Sequence, residues 1–140
     1  MHELKTSCGA LAAEAAASAK SLIALRRRLH QYPEVGNQEY RTTALLKREL
    51  QRLGLKIVDG HAATGLWAEL NTGREGPVIA IRTDIDALPV VEETGLPFAS
   101  KIKGTMHACG HDAHMAVLIG VATMAATVTN LLHNWNGGPR

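Results

Sequence analysis

A chain of 140 residues with 46% apolar side chains is long enough for one domain with a buried core, which excludes disordered and fibrous classes. Fifteen basic and thirteen acidic residues leave a net charge of +2, too small a field for a nucleic-acid or membrane-surface protein. The two cysteines, Cys8 and Cys109, lie far apart, make no disulfide framework and fit a reduced, cytoplasmic setting.

Residues 1–21 read as an Ala-rich helical extension. Glu14 interrupts the alanines between Cys8 and Ala19 and no strongly apolar run follows, so neither an export signal nor a membrane span is expected. A helix is predicted from about Leu11 to His30, where Leu22, Leu25 and Leu29 share one face, and Pro33 ends it. The run Arg26-Arg27-Arg28 falls inside this pattern and reads as a solvated face. A second helix is predicted from about Glu39 to Leu53, with Leu46, Leu50 and Leu53 on one stripe and Gly54 as its stop.

Three short strands follow by turn punctuation and β-branched content: Lys56 to Asp59, Gly65 to Leu70 and Val78 to Arg82. The third runs into Thr83-Asp84-Ile85-Asp86-Ala87-Leu88-Pro89. Carboxylates two apart at the end of a strand leave it on the same side, where open α/β sheets bind ligands, so Asp84 and Asp86 are site candidates. Equally, they are turn carboxylates that cap the next segment. Val90 to Lys103 reads as a connecting loop.

The stretch Met106-His107-Ala108-Cys109-Gly110-His111-Asp112-Ala113-His114 concentrates three histidines, a cysteine and an aspartate in nine residues. A lone cysteine is more often a small buried side chain and a lone histidine a hydrogen-bonded one; together with Asp112 they favour a metal or catalytic site. A thiolate at Cys109 and a neutral imidazole at His111 suit a borderline ion such as Zn²⁺, Ni²⁺ or Mn²⁺, and their spacing across Gly110 suits a bend. A self-contained zinc site from His107, Cys109, His111 and His114 is the lesser alternative, because such sites draw ligands from separated segments. Met115, Leu118, Ile119 and Ala122 then predict a third helix from about Asp112 or Ala113, with Asp112 as its cap or as a hydrogen-bond partner of a histidine, and His114 as a packed residue, a supporting residue or a ligand. Helices, strands and another helix make an α/β layered fold.

Three motifs in order, Arg28-Leu29-His30-Gln31-Tyr32-Pro33-Glu34-Val35-Gly36, then Arg82 to Pro89, then His107 to His114, resemble the M20 peptidase family in its amidohydrolase branch, with hippurate hydrolases, N-acyl-amino-acid amidohydrolases and auxin-conjugate hydrolases. The resemblance covers residues 22–126, leaving 127–140 as a divergent tail expected to lose helical patterning from Leu131 onward. It implies a partial α/β catalytic domain of a metal-dependent exopeptidase-like fold, helices packed on a mixed sheet. It also implies two divalent metal ions per complete site (Zn, Mn or Ni), Cys109 and His111 as metal ligands, and Asp86 as the active-site aspartate that orients a metal-bound histidine. The implied substrate is a small N-acyl amino acid or similar amide, with no nucleic acid or membrane partner and a homo-oligomer in the full-length family.

In that family a glutamate pair and two further histidine ligands lie downstream of the Cys-Gly-His motif. Here no glutamate follows Glu93, and Glu92-Glu93 precedes the bend. The chain is therefore expected to carry half of a site, to bind metal poorly and to be inactive alone. The competing reading is a non-catalytic interaction or metal-binding module.

Overall fold

The computed structural model describes residues 2–58 and 62–133. Asp59 and the stretch from Asn134 to Arg140, on which parts of two expectations fall, lie outside the described residues. The elements are α1 (His2–Gln31), α2 (Tyr40–Arg52), β1 (Lys56–Val58), β2 (Trp67–Glu69) and α3 (His111–His133).

The leucine stripes read from the sequence meet in one core. Leu29 of α1, Leu46 and Leu50 of α2, and Met115 and Ile119 of α3 are buried together, with Leu22, Leu25 and Leu53 half-buried around them. Close approach of α1 and α3 uses Gly120, where a Cβ would stand 3.0 Å from a Leu22 methyl. The helix expected from Leu11 begins earlier, at His2, because the Ala-rich extension has helix propensity of its own. Pro33-Glu34 does more than end α1. The Glu34 carboxylate accepts the Arg41 and Thr42 N–H groups at 3.0 and 2.8 Å and so caps α2 from outside it.

β1 and β2 form an antiparallel pair in the register Lys56 with Glu69 and Val58 with Trp67. The third predicted strand does not form: 78–82 pairs with nothing among the described residues, and Val78 and Ile79 are 97% and 83% exposed. Its β-branched residues suit a pleated, half-buried surface, and without a neighbouring strand that preference has nothing to act on. Further on the chain does engage. Ala87 donates to the Glu34 carbonyl at 2.8 Å, and Leu88 and Met106 exchange backbone hydrogen bonds at 3.0 Å each way. These links run the Asp-Ala-Leu-Pro segment between the Pro-Glu-Val turn and the segment that enters the bend.

α3 is long and apolar enough, by length and composition, to cross a membrane. Its inner face carries Met115 and Ile119 in the core and its first turn is tied to α1. Val117, Val121, Val128 and Leu132 are left uncovered on its outer side. It also continues through Leu131 to His133, where loss of helical patterning was expected. Apolar residues there sustain the helix past Thr127, and the His133 imidazole donates from Nε2 to the Thr72 carbonyl at 2.9 Å.

Candidate metal centre

Cys109 and His111 flank a glycine that the backbone requires. Gly110 has φ +77°, a left-handed conformation that lets the turn from His107 close through a 3.2 Å hydrogen bond from the Gly110 N–H to the His107 carbonyl. The Gly110 carbonyl then accepts from Ala113 and His114 at 3.0 and 3.1 Å, which starts α3 at His111. A Cβ at Gly110 would meet nothing within 4 Å, so the obstacle to a side chain is conformational alone. Gly110→Ala is expected to cost about 1–2 kcal/mol, read as a lower urea midpoint with an unchanged slope; an unchanged midpoint would mean that the bend is not held left-handed.

The two proposed ligand residues differ in surroundings. The Cys109 thiol is exposed. The His111 Nδ1 lies 3.0 Å from Asp86 Oδ1 and 2.9 Å from the Asp86 carbonyl oxygen. Both atoms only accept, so Nδ1 carries the hydrogen and the Nε2 lone pair is left for another partner. Asp84, the other carboxylate singled out by spacing, is not brought here. It pairs with Arg82 at 2.6 Å on the surface. His114 is exposed, its ring 5.9 Å from that of His111. No group of three or more His, Cys, Asp or Glu residues gathers in metal-holding reach among the described residues, so a four-ligand site from the bend alone does not form. The donor types at Cys109 and His111, a thiol sulfur and an imidazole nitrogen held by a carboxylate, are ones that a divalent metal would accept as part of a larger ligand set.

His107 sits inside the bend, buried, with no hydrogen-bond partner for either ring nitrogen among the described residues. Burial pushes its pKa down; the charges of Asp112 and Asp86 oppose this, and His30 and His111 add to it.

Behind the bend lies a buried charged network. Asp112 is 0% exposed, and its Oδ2 accepts from Arg26 Nε at 2.7 Å and His30 Nδ1 at 2.9 Å. The other ring nitrogen of His30 meets Glu92 Oε1 at 3.1 Å. Glu92 also accepts from the Thr94 hydroxyl and from the Ser100 N–H. Phe98 packs its ring edge on His30 and lies under the guanidinium groups of Arg26 and Arg27. The expectation of a solvated face therefore fails for Arg26, which turns inward to an ion pair. The signal was present, since Arg26 and His30 stand four apart on the side that carries Leu22 and Leu29. Nothing in the sequence marked Glu92 as the partner of His30.

Burial alone would raise the Glu92 carboxyl, but hydrogen bonds from Thr94, Ser100 and His30, with the His30 charge, outweigh it and bring the pKa from an ordinary 4.5 to about 2. Because the folded chain holds this carboxyl ionised where the unfolded chain protonates, the stabilisation is complete above pH 4.5 and is lost as pH falls toward 2. Urea midpoints are expected to drop through that window in the parent chain and to drop less in Glu92→Gln. Equal slopes for both would remove Glu92 from the account.

Comparison with known proteins gives a consistent result. The profile of peptidase family M20/M25/M40 matches residues 80–138. N-acetyl-L-cysteine deacetylase of Bacillus subtilis is 54% identical over 103 residues, which are 74% of this chain and 25% of that protein. Thermostable carboxypeptidase 1 of Saccharolobus solfataricus is 41% identical over 112 residues, 79% of this chain and 28% of that protein. The crystal structure of a Bacillus subtilis dinuclear metal binding peptidase from the M20 family superposes with a TM-score of 0.76 at 50% identity, covering 78% of this chain and 31% of the other. The chain thus spans about a quarter of the length of the curated relatives it matches.

Proposed function

The chain belongs to the M20 peptidase family, and on that premise we propose that it is part of a metal-dependent amidohydrolase that releases the acyl group from small N-acyl amino acids. The observation that carries this reading is the pairing of an exposed Cys109 thiol with a His111 imidazole whose Nδ1 is committed to Asp86. In this reading Cys109 and His111 are metal ligands and Asp86 is the carboxylate that fixes the histidine tautomer. Residues 22–126 form the part of the catalytic domain that carries these groups.

Cys109 and His111 would hold a divalent metal, which would supply a water of lowered pKa and polarise the amide carbonyl. What the chain's own residues contribute is narrower. Asp86 keeps the Nδ1 hydrogen of His111 in place, so that in the neutral ring the lone pair lies on Nε2. The deacetylase and amidohydrolase names among the relatives support an N-acyl amino acid as substrate, and the dinuclear neighbour supports a pair of divalent ions, for which we propose zinc, manganese or nickel. A cytoplasmic location and a homo-oligomeric complete protein belong to the same proposal.

A general base is absent from the described part of the site. Glu92 cannot serve, because its carboxylate is taken up by His30, Thr94 and Ser100 and stays ionised down to low pH. We therefore expect no turnover from the purified chain alone. Mixed with the remaining three quarters or so of a relative about half identical to it, it is expected to hydrolyse N-acetyl-L-cysteine in a metal-dependent way that Cys109→Ser abolishes. Hydrolysis indifferent to Cys109→Ser would overturn the reading. Metal-independent capture of a partner chain, with no hydrolysis, would favour the interaction module instead.

A further inference from the structure

We propose that Arg26, His30 and Glu92 are positioning residues for the metal-binding bend, acting through Asp112 to set the direction in which His111 presents its Nε2. The inference rests on the reading of Cys109 and His111 as ligands and adds three residues, from another helix and another loop, that touch neither of them.

Asp112 directly follows His111 in the first turn of α3. Successive helical residues point about 100° apart around the axis. Anchoring Asp112 toward α1 therefore aims His111 away from α1, toward the segment that carries Asp86. The anchor is unusually constrained for the start of a helix. One carboxylate oxygen takes two donors, from Arg26 and His30, and the carboxylate has no solvent exposure. His30 is itself held at its second nitrogen by Glu92, and Glu92 by Ser100 and Thr94 of the loop. Both carboxylates only accept, so the chain of contacts is complete only when both ring nitrogens of His30 carry hydrogen. Charges then alternate from Arg26 to Asp112 to His30 to Glu92, and no buried charge in the row lacks an opposite neighbour. Rotation of the first turn that released Asp112 would break two of these contacts at once. It would also carry the His111 ring off Asp86, to which its Nδ1 is bonded at 3.0 Å. Outer partners of metal ligands commonly change metal affinity by about 10–100-fold when replaced.

The test reads the His111 ring and the metal separately. In the metal-free chain near neutral pH, the ¹⁵N shifts of His111 are expected to report a single tautomer with hydrogen on Nδ1. Glu92→Gln, which keeps the side chain's shape, and His30→Gln are expected to yield a mixture of tautomers. Cobalt(II) titration, followed by the thiolate absorption of Cys109, is expected to weaken about tenfold in both variants. Leu46→Ala, in the core and making no hydrogen bond or ion pair with the network, is the control for general loss of stability and is expected to leave the tautomer single and the affinity unchanged. If His30→Gln fails to fold, Glu92→Gln carries the test. A single tautomer and parental affinity in Glu92→Gln would overturn the inference, as would equal losses in Leu46→Ala. If the parent chain binds no cobalt(II), the ligand reading fails for this chain, and the tautomer result alone decides whether the network positions His111.

Discussion

Asp112→Ala is expected to destabilise the chain by about 3 kcal/mol, near the lower end of what breaking a buried ion pair costs. The substitution leaves two donors, Arg26 Nε and His30 Nδ1, facing an apolar methyl where a carboxylate oxygen stood at 2.7 and 2.9 Å. His30 is buried and has nowhere to find water. Arg26 is 36% exposed at its side chain and partly rehydrates, which keeps the loss from the upper end of the range. Asp112→Asn, which retains one acceptor oxygen, is expected to lose roughly half as much. Urea unfolding followed by helical circular dichroism checks both, and a loss below about 1 kcal/mol for Asp112→Ala would mean that the network contributes little to the fold.

Met115→Ala is the other large effect, about 2–5 kcal/mol. Met115 is 0% exposed and joins the stripes of all three helices with Leu29, Leu46, Leu50 and Ile119. In a core this small, truncating one central side chain removes a large share of a net stability that is only about 5–15 kcal/mol for an ordinary domain. Val117, two residues on and 64% exposed, provides the contrast. Val117→Ala is expected to change stability by less than about 0.5 kcal/mol. Similar losses at the two positions would contradict the assignment of inner and outer faces of α3.

Much of this architecture was legible because helices announce their buried faces locally. Leu22, Leu25 and Leu29, then Leu46, Leu50 and Leu53, then Met115 and Ile119 each repeat at helical spacing, and each stripe is the one that enters the core. The start of α3 beside Gly110 was legible for the same local reason, since the glycine and the polar residues around it mark a turn into a helix. Strands need partners, and a partner is not a local property. Val78 to Arg82 has the composition of a strand and remains unpaired and exposed, because no neighbour among the described residues completes its hydrogen bonds.

The site divides along a similar line. Cys109, Gly110 and His111 stand together in the sequence, so their chemistry could be read there, and Asp86 was marked by its motif. The contact between Asp86 and His111 depends on backbone links from Ala87 to Glu34 and from Leu88 to Met106, which no spacing rule reveals. Arg26 and Glu92 were assigned to solvent and to a loop for want of a visible partner. Their partners lie 86 residues from Arg26, at Asp112, and 62 residues from Glu92, at His30.

The outer face of α3 and the unpaired 78–82 segment both leave apolar side chains exposed to water. α3 thus has two different faces: an inner one buried against α1 and α2 beside the bend, and an outer one that exposes apolar side chains.

The measurement that bears most directly on the central claim is a cobalt(II) titration of the 140-residue chain in three forms: parent, Cys109→Ser and Cys8→Ser. The account predicts a weak, saturable thiolate-to-cobalt absorption in the parent, retained in Cys8→Ser and lost in Cys109→Ser. No such absorption in the parent, or absorption that survives Cys109→Ser, would contradict the assignment of Cys109 and His111 as metal ligands.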